Sequence, residues 1–287
     1  MEMPRFVVFG AAGMLGHALM DELAARSLLA TGLDRRACDV TDADACLAVL
    51  AQLRPAVAIN CAAFTDVNGA ETQREAAMAV NGAGAGNVAR ACEKIGSRCL
   101  FVSTDYVFDG AKAEPYLETD IVNPLNVYGG SKLEGERQTL AGCANSLVVR
   151  TSWLYGPYGR NFVQTILQRA ESGQPLGIVE DQTGAPTYTR DLARVLCDVA
   201  VSKLTGVVHA TNRGACSWYQ FAKSALDLAG LSSVQLSPVK TSDYPTPALR
   251  PANSRLTDTR LGTAGIPAMP TWEDGLRRYL LETGRIS

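Results

Sequence analysis

An α/β fold, built on a doubly wound parallel sheet with a smaller C-terminal lobe, is predicted by three features of the sequence. Short apolar, β-rich runs alternate with helix-compatible stretches rich in Ala, Leu and charge through the first half of the chain, the pattern of βαβ units. The apolar runs are nearly continuous, as expected of strands covered by helices on both faces. The first run ends in a glycine triplet that opens a helix, where a Rossmann-type sheet places its phosphate-binding turn.

Strands are expected at Arg5–Phe9, Ala30–Leu33, Val57–Cys61, Arg98–Ser103 and Leu147–Thr151, with helices beginning near Gly13, Asp42, Glu71 and Val127. Residues 1–153 then form the dinucleotide-binding Rossmann domain. After Trp153 the rhythm weakens, so residues 154–287 are expected to be mainly a substrate-binding lobe. From this half a strand at Val207–Thr211 (near 206–211) returns to the first domain. Ser237–Pro251 and Gly265–Pro270 are proline-rich and loop-like. Trp272, Leu276, Tyr279 and Leu280 give Thr271–Glu282 the spacing of a closing amphipathic helix. No repeat of 20 to 50 residues is visible, which argues against a solenoid.

A chain of 287 residues buries a sizeable core without staples. Its 47% hydrophobic and 20% charged residues lie in the globular range. A net charge of -2 without blocks of like charge gives no reason to expect nucleic acid or a membrane surface as partner. The eight cysteines are scattered, with no Cys-x-x-Cys pair, and are expected to be reduced and mostly buried; no metal site is assigned. The run Phe6–Phe9 ends in glycines too soon for a signal peptide or a membrane span, and a cytoplasmic location is expected.

The segment Gly10-Ala11-Ala12-Gly13-Met14-Leu15-Gly16 follows the first strand directly. Its backbone N–H groups are expected to hold a pyrophosphate, with glycines where a Cβ would block the phosphates or the helix–strand contact. The spacing is G-x-x-G-x-x-G, a variant of the strict fingerprint. Past the second strand, Asp34 suits ribose hydroxyls (NADH), while Arg35 and Arg36 suit a 2'-phosphate (NADPH). Asp39 and Val40 are placed for the adenine, and Ala62, Ala63 and Thr65 for close passage of backbone past the cofactor. Structural alternatives exist for each: an exposed charged turn at 34–36, a helix N-cap at Asp42, ordinary packing for Ala62 and Ala63.

Tyr128 and Lys132 stand at i,i+4 on a helix that begins near Asn126, so phenol and ammonium share a face. A neighbouring fixed cation is expected to lower the phenol's pKa toward the range useful for proton transfer to a carbonyl that receives hydride. Alone, such a pair is usually an idle surface feature. Here Phe101-Val-Ser-Thr104 ends a strand in hydroxyl residues at the carboxyl edge of the sheet, where Thr104 could bond the oxygen that Tyr128 protonates.

The glycine triplet, Ser-Thr-Asp-Tyr-Val-Phe-Asp-Gly at 103–110 and Tyr-x-x-x-Lys together resemble the extended short-chain dehydrogenase/reductase family. Asn123–Tyr128, Arg150–Gly156, Asp181–Thr187 and Arg250–Leu256 narrow the resemblance to its dTDP-4-dehydrorhamnose reductases, over nearly the whole chain. The resemblance implies Tyr128 as proton donor, Lys132 as its modulator and ribose anchor, and Thr104 as the hydroxyl at the substrate oxygen. Asp105, Tyr106 and Trp153 would face the sugar, and Asn161, Arg250 and Arg255 the nucleotide diphosphate. The partner would be a dTDP-linked 4-keto-6-deoxy sugar, and NADPH or NADH the hydride source. Gly130, following Gly129, should weaken the catalytic helix by about 1 kcal/mol relative to Ala. Some relatives hold a metal through glutamates at a dimer contact; Leu15 and Arg190 occupy the corresponding stretches, which leaves monomer or homodimer open. An epimerase or dehydratase of the same fold, and a non-catalytic NADP-binding regulatory subunit, remain alternatives.

Overall fold

The computed structural model describes residues 5–287. The first half runs β1 (Phe6–Phe9), α1 (Met14–Ala25), β2 (Ala30–Leu33), α2 (Ala43–Leu53), β3 (Val57–Asn60), α3 (Val67–Thr72), α4 (Arg74–Ala77), α5 (Gly84–Ile95), β4 (Arg98–Thr104), α6 (Val127–Gly142) and β5 (Ser146–Thr151). The second half runs β6 (Leu154–Tyr155), α7 (Phe162–Glu171), β7 (Leu176–Val179), β8 (Thr183–Gly184), β9 (Thr187–Tyr188), α8 (Thr189–Val201), β10 (Gly206–His209), β11 (Cys216–Ser217), α9 (Trp218–Leu228), β12 (Leu236–Val239) and α10 (Trp272–Glu282). The expected strands and helix starts recur within a few residues.

Six parallel strands form one sheet in the order β2-β1-β3-β4-β5-β10. The chain leaves β1 in one direction for β2 and in the other for β3, so the carboxyl ends of β1 and β3 border the switch point where open α/β sheets bind ligands. Residues of β1 alternate between faces. Phe6 and Val8 join a core with α1 and α8, whereas Val7 and Phe9 join one with α2 and α5.

The sheet core takes more from the second half than a single strand. Leu192, Leu196 and Val199 of α8 lie in it, as do Leu261, Ile266 and Met269. A parallel sixth strand needs a crossover, and α8 supplies its helix. The rest of the second half has its own core, centred on Tyr155, Tyr188, Phe221, Trp272 and Leu276.

Two local expectations need correction. Ser237–Pro251 is not all loop, because β12 pairs with β7 and carries Pro238; a two-stranded sheet is all edge, where proline is tolerated. The helix expected from Glu71 is already under way at α3, and a π-helical turn, Met78–Ala83, links α4 to α5. Within that turn the buried Asn81 bonds the Phe64 backbone N–H and C=O and the Ser131 hydroxyl, at 2.8, 3.0 and 2.9 Å. A π-turn at a site of this kind is a recurrent functional feature.

Helix α6 starts where the Asn126 side chain accepts from the Gly129 N–H at 2.7 Å. Its two glycines have different causes. A Cβ on Gly129 would run into the Tyr106 carbonyl oxygen, while one on Gly130 would meet nothing within 4 Å. Gly130→Ala should therefore stabilise the protein by about 1 kcal/mol through helix propensity, and Gly129→Ala should cost at least about 2 kcal/mol through overpacking. Urea unfolding of both variants checks this, and equal effects would contradict it.

His209 on β10 is fully buried, with Nδ1 3.0 Å from the Thr257 carbonyl oxygen and Nε2 without a partner. Burial pushes it down to about 4, against the pull of Glu118. Between that value and its ordinary 6.5 the unfolded chain binds the extra proton, so stability falls as pH drops through this window. We expect His209 to account for a loss on the order of 2 kcal/mol between pH 7 and 5. Denaturation at both values should show a shallower fall for His209→Asn than for wild type.

Candidate active site

A cavity of about 840 Å³ opens along the carboxyl ends of β1, β3, β4 and β5. Its floor is the turn from β1 to α1. Gly10 sits at φ +72°, and a Cβ there would stand 2.6 Å from the Ala62 nitrogen; only glycine combines that conformation with that approach. A Cβ on Gly16 would meet the Gly10 carbonyl oxygen. Helix α1 begins at Gly13 with no side-chain cap and no acid in its first turn. Its first N–H groups are thus left for an anion, and Gly13, Met14, Leu15 and Gly16 line the cavity with Gly10 and Ala12. Ala11 does not belong with them. Its N–H donates to the Leu33 carbonyl, and a Cβ on Gly32 would meet its Cβ at 2.8 Å, so it faces β2.

Asp34, Arg35, Asp39 and Val40 line one end. Asp34 Oδ1 accepts from the N–H groups of Arg36 and Ala37 at 3.0 and 2.8 Å, bracing the turn. Arg35 Nε pairs with Asp39 Oδ2 at 3.1 Å. Hydrogen bonds from Thr41 hold the Asp39 carboxyl below its usual range. The Arg36 side chain is not part of the lining. Asp42 is an N-cap, accepting from the Ala45 N–H at 2.9 Å, as its structural alternative had it. Ala62, Ala63 and Thr65 form the wall opposite, braced by Asn60, which accepts from the Ala62 N–H at 3.0 Å, and by Asn81. Val67 and Val80 also line the cavity; as isolated apolar residues they carried no signal in the sequence.

Thr104, Asp105, Tyr106, Tyr128 and Lys132 converge at the centre. The Tyr106 and Tyr128 rings meet edge to face with centroids 5.9 Å apart. Lys132 is buried, donates to the Val102 carbonyl at 2.6 Å and lies 4.1 Å from the Phe101 ring centroid. Burial pushes its ammonium down to about 7, opposed by Glu136 and Cys61. Desolvation pushes the Tyr128 phenol up to about 12; a hydrogen bond with Thr104 pulls it back and the Asp105 charge adds to the rise. This corrects the expectation of a phenol lowered by a fixed cation. At Lys132 burial outweighs the opposing charges, and at Tyr128 the neighbouring Asp105 charge adds to the desolvation, so the phenol keeps its proton in the neutral range. Asp105 is buried with Oδ2 unpartnered, and burial pushes it up to about 7 against hydrogen bonds from Ser254 and Thr104.

Trp153 lines the cavity at φ +47° and stacks on Trp218, with centroids 3.6 Å apart and planes 6° off parallel. A Cβ on Gly184 would run into the Trp153 indole, so a glycine stands there. Trp218 was not singled out in the sequence, although Ser217 and Gln220 form a capping box that marks its place at the start of α9.

Three residues expected at the diphosphate lie outside the cavity lining. Asn161 caps α7 and donates to the Gly156 carbonyl at 2.9 Å. Arg250 donates to Thr246, Ala248 and Asn68. Arg255 donates to Asn253 and Ala113. Arginine and asparagine satisfy loop carbonyls as readily as phosphates, and of the three Arg250 stands nearest the cavity, its guanidinium beside the Tyr106 phenol. Gly159 and Arg160, just before Asn161, are in the lining instead.

The family model described as RmlD substrate binding domain matches residues 4–284. A dTDP-4-dehydrorhamnose reductase of Aggregatibacter actinomycetemcomitans is 40% identical, over 96% of this chain and 98% of its own. Another, from Streptomyces griseus, is 39% identical, over 95% and 92%. The crystal structure of a dTDP-4-dehydrorhamnose reductase from Bacillus anthracis in complex with NADP superposes with a TM-score of 0.95 at 37% identity, covering 98% of this chain and all of that one. The chain belongs to the RmlD substrate binding domain family, that of the dTDP-4-dehydrorhamnose reductases.

Proposed function

We propose that the protein reduces dTDP-4-dehydro-L-rhamnose to dTDP-L-rhamnose at the expense of NAD(P)H, with Tyr128 as proton donor. One observation carries the reading: the Tyr128 phenol, the Thr104 hydroxyl and the buried Lys132 line a single cavity floored by a glycine cradle and an uncapped helix start. The residues fit a dinucleotide. The α1 N–H groups suit its pyrophosphate, the Asp34–Arg35 end its adenosine ribose, and Lys132 its second ribose. When bound, NAD(P)H supplies the hydride for C4 of the keto-sugar. Tyr128 gives its proton to the carbonyl oxygen as charge develops there, and the Thr104 hydroxyl bonds the same oxygen. Trp153 and Trp218 form the sugar-side wall. Unpaired cysteines, seven of the eight buried, and a need for reduced nicotinamide fit a cytoplasmic enzyme.

A second reading, epimerase or dehydratase, has Asp105 in its favour, bonded by the Thr104 hydroxyl at 3.0 Å, and against it the lack of a Glu after Asp105, where Tyr106 stands. Asp105 is a further acid-base group near 7 beside Thr104. Incubation with keto-sugar and NADPH or NADH separates the two: oxidation of cofactor in stoichiometric amount is expected, whereas sugar conversion without net oxidation would establish the second reading. Tyr128→Phe should bind cofactor normally and lose roughly 10²-fold or more in kcat; near-normal turnover would remove Tyr128 from the mechanism.

Cofactor choice should be shallow. Asp34 is partly committed to its turn and Arg35 to Asp39, and exposed charges contribute only about 1 kcal/mol each. Values of kcat/KM for NADH and NADPH are expected within roughly tenfold of each other. Arg35→Ala should shift preference toward NADH and Asp34→Ala toward NADPH. A hundredfold wild-type preference would show that the ribose pocket lies elsewhere.

A further inference from the structure

Three basic side chains line the cavity: Arg35, Lys132 and Arg160. Arg35 is paired with Asp39, and Lys132 is buried with its ammonium on the Val102 carbonyl. Arg160 is exposed and has no ion pair or side-chain hydrogen bond among the described residues. It is thus the one unengaged cation in the lining.

Its loop is held at both ends. Tyr158 donates to Asp21 of α1 at 2.7 Å, packs on His17 with ring centroids 4.8 Å apart, and has the Arg190 guanidinium 5.5 Å from its ring centroid. Three residues on, Asn161 accepts from the Gln164 N–H at 3.0 Å and donates back to Gly156 at 2.9 Å. Gly159 turns the chain at φ +70° between these anchors. The loop that displays Arg160 is therefore tied to the helix whose first residues, Gly13 to Gly16, line the same cavity.

From this placement we infer that Arg160 is a pyrophosphate-binding residue, its guanidinium neutralising a diphosphate held in the cavity. The inference rests on the proposed function, which puts two diphosphates there: that of the dinucleotide and that of the sugar nucleotide. A diphosphate diester carries two negative charges, and a guanidinium fork matches its oxygens. Arg250 and Arg255, the other arginines suited to the task by position in the sequence, are bound to loop oxygens.

Calorimetric titration of wild type, Arg160→Ala and Arg160→Lys with dTDP, with NADPH and with thymidine tests the assignment without turnover. Arg160→Ala should raise the Kd of at least one diphosphate about tenfold or more. It should leave thymidine binding and thermal unfolding unchanged, and the loss should shrink at high salt. Arg160→Lys should recover part of it. A loss confined to dTDP places Arg160 on the sugar nucleotide, and one confined to NADPH places it on the cofactor. If wild type binds both diphosphates and Arg160→Ala binds them equally well, the inference fails and the proposed function stands. If the variant loses affinity but wild type never turns over keto-sugar, the proposed function fails and the residue's role stands. Wild type that binds neither diphosphate overturns both.

Discussion

Glu136 of α6 accepts two hydrogen bonds from Arg150 of β5, at 2.9 and 2.7 Å, and a third from the Ser103 hydroxyl of β4, all three residues being buried. Such a pair loses most of its Coulomb gain to desolvation. An apolar substitute would pack α6 on the sheet about as firmly. It would not fix where along the sheet the helix lies. A bidentate fork accepts one placement, and Lys132 is one turn before Glu136 and Tyr128 one turn before that. The same carboxylate opposes the loss of charge on Lys132, so one contact both places the reactive pair and moderates its lysine.

The glycines of α6 express the same constraint from outside. A Cβ on Gly135 would run into the Asn81 carbonyl oxygen, as one on Gly129 would into that of Tyr106. The helix is wedged at backbone distance against two neighbours, and helix propensity is given up at both places. What this close fit produces is a set of polar groups that would be faults elsewhere. Lys132 and Asp105, both buried, are each driven toward 7, and Asp105 keeps an unpartnered oxygen. Buried groups with split protonation and missing partners are expected where local rules yield to function.

How much of this was legible in the sequence depended on the range of the interaction concerned. The Tyr128–Lys132 face and the Gly10 turn are local consequences of helix period and chain geometry, and both are found where their spacing puts them. The side-chain environment of the same residues is not local. That Lys132 sits over Phe101 and donates to Val102 is decided by how α6 meets β4, and desolvation raises the Tyr128 phenol where a lowering was expected. Ala11 and Arg160 teach the same lesson at single-residue scale. A one-residue step around a turn reverses the direction of a side chain, and so the cavity takes Ala12 and Arg160 in place of Ala11 and Asn161. Likewise α8 looks like any amphipathic helix; only the crossover requirement of β10 brings it back to the sheet.

That return also explains how a cavity between sheet and lobe keeps its shape. Ion pairs span the two: Arg190 of α8 contacts Asp21 of α1 and Glu282 of α10, each at 2.5 Å, and Tyr158 reaches the same Asp21. These groups are partly exposed, so each pair contributes at most about 1 kcal/mol and is screened by salt. They are too weak to hold two bodies in register alone. The apolar face of α8 supplies what they lack, since Leu192, Leu196 and Val199 share one core with Leu19 and Leu23 of α1, and burying a side chain of that size contributes about 1.5 to 3 kcal/mol. With α8 committed to the sheet and β9 running directly into it, β6 is held by pairing with β9, and Trp153, just before β6, and Gly184 of β8, just before β9, are anchored through the backbone. The surface charges then have only a small adjustment left to make, that of the loop bearing Arg160.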